Sequence, residues 1–244
     1  MKLPKPLYAV GCLLTASHVL AEPADYVATP IVEAGEREID FKVGRADGAA
    51  GPHDAAASLG LGYGASERWF TEVYLKYKDE NGAGRKFDAV EWENKLQLTE
   101  TGKYPVDLGV LLEIEHPQDH AEGWEVRWGP LLQTEFGKWQ LNLNLFWQRN
   151  YRAELPSAMQ FLYQWQTKYR WRKALEFGIQ GFGETGSWHD WLPRDEQNHR
   201  LGPALFGKFG IGGGRQLEYN VAWLFGASSA APAHTLRAQV EFEF

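Results

Sequence analysis

The sequence predicts an all-β chain: a transmembrane up-and-down antiparallel β-barrel of about twelve strands, with short turns at one end and longer loops at the other. Three observations lead there. Segments of about ten residues with apolar side chains at every second position recur to the C-terminus. The 244 residues are 14% aromatic, with 11 Trp, and the rings gather near segment ends. Beyond the N-terminus no run of about 18 apolar residues remains, so no helical span is expected.

Lys2 and Lys5 precede the apolar run Leu7 to Leu14, and Val19-Leu20-Ala21 supplies small residues at a cleavage site. Residues 1–21 therefore read as a secretory signal peptide, 22–34 as a periplasmic lead-in and 35–244 as the barrel. Cys12 is the only cysteine, so the chain after Ala21 can form no disulfide and must be held by other means. The formal charge of −7 becomes −9 without the two leader lysines. An acidic chain with no basic cluster argues against nucleic acid as a partner. No cofactor motif is present, and no cofactor is expected.

The segments follow in order. Ile39, Phe41 and Val43 alternate with Glu38, Asp40 and Lys42; Ala57, Leu59, Leu61 and Tyr63 with Ser58, Gly60 and Gly62. Val73, Leu75 and Tyr77 oppose Glu72, Tyr74, Lys76 and Lys78; Val90, Trp92, Leu96 and Leu98 oppose Glu91, Glu93, Lys95 and Gln97. Val106 to Ile114 alternates with Asp107, Glu113 and Glu115, and Trp124 to Leu132 with Glu125, Arg127, Gln133 and Glu135. Leu141, Leu143, Leu145 and Trp147 against Gln140, Asn142, Asn144 and Gln148 make the cleanest segment. Phe161 to Tyr169 follows, opposed by Gln160, Gln164, Gln166, Lys168 and Arg170. Glycines and Pro203 interrupt the next two, around Leu175–Ile179 and Leu201–Phe209; Leu217–Phe225 and Thr235–Phe244 complete the set. Tight connections are expected at 65–68, 100–105, 137–138, 172–173 and 210–215. Roomier ones are expected at 44–54, 79–86, 116–122, 150–157, 184–198 and 226–234. A soluble sandwich would also alternate, but aromatic residues at both ends of a Leu/Val band suit a bilayer, where amphipathic rings settle at headgroup level.

The last segment, Leu236-Arg237-Ala238-Gln239-Val240-Glu241-Phe242-Glu243-Phe244, resembles the closing strand of bacterial outer-membrane β-barrel proteins. The resemblance extends over the whole chain after the leader, to small porin- or channel-like barrels, with no signature of a sugar-acid, nucleoside or fatty-acid channel. It implies location in the outer membrane of a Gram-negative bacterium, contact with its lipid, and recognition of Phe242 and Phe244 by the barrel assembly machinery. It also implies passive diffusion of small solutes.

The inward face carries the expected function. Its acids, Glu38, Asp40, Glu72, Glu91, Glu93, Glu113, Glu115, Glu125 and Glu135, outnumber its bases, Lys76, Lys95, Arg127, Lys168, Arg170 and Arg237. As a pore lining, this set favours cationic or neutral polar solutes. Trp188-His189-Asp190-Trp191 is a candidate loop lid, and His116, Asp119 and His120 are a weak metal candidate. No catalytic residues are expected: the histidines lie in or beside loops, and no Gly-x-Ser-x-Gly is present. The alternative function is a non-conducting structural or adhesion barrel that acts through its extracellular loops.

Overall fold

Period-two alternation builds a wall with two chemically different sides. The computed structural model describes residues 22–48 and 53–244, so the expected leader, residues 1–21, lies outside the described residues. The strands are β1 (Arg37–Asp47), β2 (His53–Ser66), β3 (Trp69–Asp79), β4 (Lys86–Gln97), β5 (Asp107–Pro117), β6 (Trp124–Phe136) and β7 (Trp139–Tyr151). They continue as β8 (Gln160–Arg172), β9 (Leu175–Ser187), β10 (Asp190–Trp191), β11 (Asn198–Gly212), β12 (Arg215–Gly226) and β13 (His234–Glu243). All but β10 form one closed antiparallel ring, with β8 bonded to β9 and β13 bonded to β1. The two-residue β10 folds back on the end of β9. Closure pairs the backbone of every ring strand on both sides, as a bilayer core requires.

The outer face is apolar around the whole circumference. Ile39 and Phe41, Leu59 and Leu61, Val73 and Leu75, Trp92, Leu108, Trp128, Leu143, Ile179, Leu205, Trp223 and Val240 are all exposed. Water-soluble monomers confine such surface to patches of about a few hundred Å². The segments interrupted in the sequence have a physical reason: rings on neighbouring strands fill the gaps above outward glycines. A Cβ on Gly181 would strike the Trp165 ring, one on Gly183 the Tyr163 ring and one on Gly207 the Tyr219 ring. These are register partners, so the aromatic side chain of one strand covers the glycine of the next.

Two expectations need correction here. The connection at 100–105 is not tight. It spans 98–106 and is braced from within, Asp107 accepting from the Gly102 amide at 2.8 Å and Thr99 Oγ1 from the Leu108 amide at 2.8 Å. The lead-in, residues 22–34, does not hang below the barrel. It turns at Gly35 (φ 81°) and runs back up inside. Hydrogen bonds Gly35 N→Gly64 O (2.8 Å) and Gly64 N→Glu36 O (2.9 Å) tether it at the short-turn rim. Ala24, Val27, Ala28 and Val32 are buried within the ring.

An arginine in place of Leu75, mid-strand on the outer face, is expected to cost about 2–4 kcal/mol. Leu155→Arg, in the exposed 152–159 connection, is expected to shift stability by no more than about 0.5 kcal/mol. Urea unfolding from lipid vesicles, followed by Trp fluorescence, measures both; equal costs would mean that no hydrocarbon meets the outer face.

Candidate channel lumen

Five anchors hold the inner segment. Glu22 pairs with Lys76 at 2.9 Å and Asp25 with Arg127 at 3.5 Å. The Tyr26 hydroxyl donates to Glu93 at 2.5 Å, the Ala28 carbonyl accepts from Asn144 at 3.2 Å, and the Val32 amide donates to Gln97 at 2.8 Å. Burial, with Glu93 beside it, holds the Tyr26 phenol well above its usual range, so it remains a donor. Apolar contacts accompany these bonds. Ala28 and Tyr26 pack on Leu111, Leu131, Phe146 and Leu162, while Val27 packs on Phe182, Ala204, Phe206, Ala222 and Leu224.

The inner wall divides by chemistry. From β12 through β13 and β1 to β6, carboxylates stand directly opposite one another across neighbouring strands in seven pairs. These are Glu218–Glu241, Glu241–Asp40, Glu243–Glu38, Glu72–Glu93, Glu93–Glu113, Glu91–Glu115 and Glu115–Glu125. Opposed like charges repel, so the few cations placed among them carry much of the compensation. Lys76 reaches Glu91 at 3.0 Å and also touches Glu115. Arg127 reaches Glu113 at 3.1 Å and Glu125 at 3.8 Å. Lys42 lies 3.3 Å from Asp40, with the Tyr26 and Tyr74 ring centroids at 3.5 and 3.7 Å from its ammonium. From β6 to β9 the wall is instead an amide ladder. Gln140 donates to Gln133 (3.1 Å) and to Asn142 (2.8 Å), Gln166 to Asn142 (3.1 Å), and Gln180 to Gln166 (2.9 Å). Arg237 then donates to Gln180 at 2.5 Å.

Between the segment and the wall, toward the short-turn end, lies a cavity of about 670 Å³. Ten acids line it: Glu33, Glu36, Glu38, Asp40, Glu72, Glu93, Glu176, Glu218, Glu241 and Glu243. Five bases face them: Lys95, Lys168, Arg170, Lys173 and Lys208. Several bases are already engaged, Arg170 in a two-bonded fork with Glu135 (2.9 and 2.6 Å) and Lys208 with Glu218 and Glu243. At the rim, burial pushes Glu36 up to about 7, with Glu243 adding to the rise and Lys95 opposing it.

The fifteen charged residues named above lie at alternate positions on the enclosed side of their strands: Glu38, Asp40, Glu72, Lys76, Glu91, Glu93, Lys95, Glu113, Glu115, Glu125, Arg127, Glu135, Lys168, Arg170 and Arg237. Sequence reasoning missed the segment and its apolar sockets. The available signal was the doubled apolar positions Leu111-Leu112 and Leu131-Leu132 and the out-of-phase Phe146, Leu162, Phe182 and Phe206, each placing a greasy side chain on the polar face.

The aromatic loop is not a lid. Trp188 packs against Trp147 and Phe161 (centroids 5.2 Å each) and Trp191 stacks on Phe161 at 5.9 Å, all on the outer surface, leaving His189 and Asp190 exposed. Stacking those rings on outward aromatics keeps their apolar faces together on the apolar side of the wall, although both tryptophans remain exposed there. The structure brings His116 and His120 together, ring centroids 5.4 Å apart and edge-on, but gives Asp119 another task. Asp119 caps the 3₁₀ turn His120–Glu122 by accepting from the Ala121 amide, and His116 packs edge-on against Trp124 at 4.4 Å. Among the described residues, the groups whose ligand atoms converge are carboxylates only: Glu22/Asp88/Glu115, Glu36/Glu241/Glu243 and Glu91/Glu93/Glu113. Phe242 and Phe244 stack outward at 5.6 Å, and the Phe244 amide donates to the Arg37 carbonyl at 2.9 Å.

No family model matches the chain, and no curated protein matches it in sequence. Solved structures do. An outer-membrane channel from Pseudomonas putida F1 superposes with a TM-score of 0.62 at 13% identity, covering 92% of this chain and 100% of that one. The NanC porin gives 0.54 at 10% identity (84% and 98% covered) and the KdgM porin 0.52 at 10% (85% and 98%). At these identities the likeness is one of architecture: the chain has the fold of small outer-membrane barrel channels.

Proposed function

We propose that the protein is an outer-membrane channel for small cationic or neutral polar solutes, with its short turns toward the periplasm and its lumen narrowed by its own residues 22–34. The observation that carries this reading is the 670 Å³ acid-rich cavity inside a ring whose outer face is apolar throughout. Water inside and hydrocarbon outside are the conditions under which such a wall is stable. Excess lumen carboxylate raises the local concentration of cations relative to anions. Lipid contact along the belt and recognition of Phe242 and Phe244 by the assembly machinery belong to the same reading.

The second reading, a non-conducting barrel that works through its loops, draws support from contacts of the segment with both sides of the ring, the anchors at Glu93, Arg127 and Lys76 on one side and the packing of Val27 on Phe182 and Phe206 on the other. Planar-bilayer recording separates the two. Discrete steps of small conductance with cation preference are expected, and removal of residues 22–34 should enlarge them several-fold. Silence from both proteins would favour the non-conducting barrel. Replacing Glu38, Glu241 and Glu243 together with Gln should reduce the cation preference, and an unchanged reversal potential would remove the charge-selectivity argument.

Glu36 predicts a pH dependence. Its carboxyl titrates at about 7, so it is mostly neutral at pH 6 and mostly charged at pH 8. Cation preference should therefore rise across that interval, and Glu36→Gln should flatten the rise. An identical pH profile in the variant would show that other groups set it.

A further inference from the structure

Arg237 is 2% exposed, yet only one edge of its guanidinium is used. Nη1 donates to Gln180, while Nε and Nη2 have no partner. Those two nitrogens form the side that grips a carboxylate with two parallel bonds. Two residues along the same face of β13, the Thr235 hydroxyl, 1% exposed, is also without a partner. Unused buried donors of this kind cost stability unless another state of the protein employs them.

The inner segment flanks this place on two sides. Gly44 is the cross-strand neighbour of Arg237, and a Cβ there would collide with the Pro23 carbonyl. Phe182, whose ring centroid lies 5.6 Å from the Arg237 guanidinium and 5.8 Å from that of Arg200, is the ring on which Val27 packs. Across the ring, on β6, another arginine already takes a carboxylate from the segment, Arg127 with Asp25.

We propose that Arg237 and Thr235 form a latent binding site for a small carboxylate, closed over by residues 23–27, and that carboxylate binding releases the segment. This rests on the reading of the segment as a movable restriction. The bound anion is an effector held at the wall. A ligand that fits only the withdrawn state shifts the population toward it. The lumen then opens when a carboxylate is present, without any covalent step.

Cysteine accessibility tests this on the protein as it sits in vesicles. Ala24→Cys, in a Cys12→Ala background, is treated with a maleimide at one ionic strength in sodium chloride or in sodium acetate. Acetate is expected to speed labelling by about fivefold or more, the lower end of ordinary coupling between sites. Arg237→Gln should abolish the acceleration, and so should Arg237→Lys, which keeps the charge but loses the fork. Equal rates in the two salts would overturn the proposal, as would an undiminished acetate effect in Arg237→Gln. Labelling that is present but indifferent to acetate sinks the carboxylate site alone. No labelling in either salt sinks the movable segment as well.

Discussion

Everything in this molecule depends on the pairing of β13 with β1. Ten residue pairs, from Glu38–Glu243 to Asp47–His234, join the two ends of the sheet. In hydrocarbon an unpaired edge would leave a row of amides and carbonyls with no water to satisfy them, so the sheet closes or does not insert. Closure also fixes parity. Once the ring is sealed, each side chain is either lipid-facing or enclosed, and a slip of one residue would turn carboxylates toward lipid. The outward stacking of Phe242 and Phe244 and the amide of Phe244 on Arg37 place the last residues of the chain on that seam.

A sealed cylinder then has to deal with its own inside. Buried carboxylates facing one another are unfavourable, and the wall from β12 to β6 carries seven such pairs. The segment answers part of this. Although it brings two more acids, Glu22 and Asp25, it spends them on Lys76 and Arg127, and Tyr26 supplies a hydroxyl to Glu93. It also covers Leu111, Leu131, Phe146 and Phe182, side chains that have no reason to face water. The wall and the segment therefore specify each other: apolar sockets at mid-height suit Val27 and Ala28, and the cations above them suit Asp25 and Glu22.

The ring was legible in the sequence because a bilayer imposes one rule on every strand. Ten of the twelve ring strands declare themselves by clear alternation, β9 and β11 more weakly, and the clean ones, such as Leu141 to Gln148, also reveal which side faces lipid. Where Trp165 and Tyr163 cover Gly181 and Gly183, the rule is obeyed by a neighbour's side chain, and a reading along one strand cannot detect it. The segment at 22–34 was illegible for a different reason. It has no period, its apolar residues apart from Tyr26 and Ile31 are small, and its partners are scattered along the chain from Lys42 to Leu224. Only the ring brings those partners together, so the contact exists in no local stretch of sequence. The aromatic loop failed similarly: Trp188 and Trp191 advertise apolar contact, but the sequence does not reveal on which side of the wall they find it.

The composition of the segment argues that its hold is near balance. Apart from Tyr26, whose ring packs beside Leu111, its buried apolar side chains are Ala24, Val27, Ala28 and Val32, which remove little area from water compared with the Leu and Trp residues of the belt. Ordering an extended stretch costs conformational entropy at every residue, with no ladder of backbone bonds to offset it. Its two ion pairs give up water on both partners, so their net contribution is small. The ring strands, by contrast, gain paired backbones along their whole length. A tether at Gly35, where positive φ reverses the chain, joins it to the ring, and withdrawal as proposed would break the five anchors but no backbone bond between ring strands. The part of the structure that lies inside the ring is thus also the part with no backbone ladder to hold it.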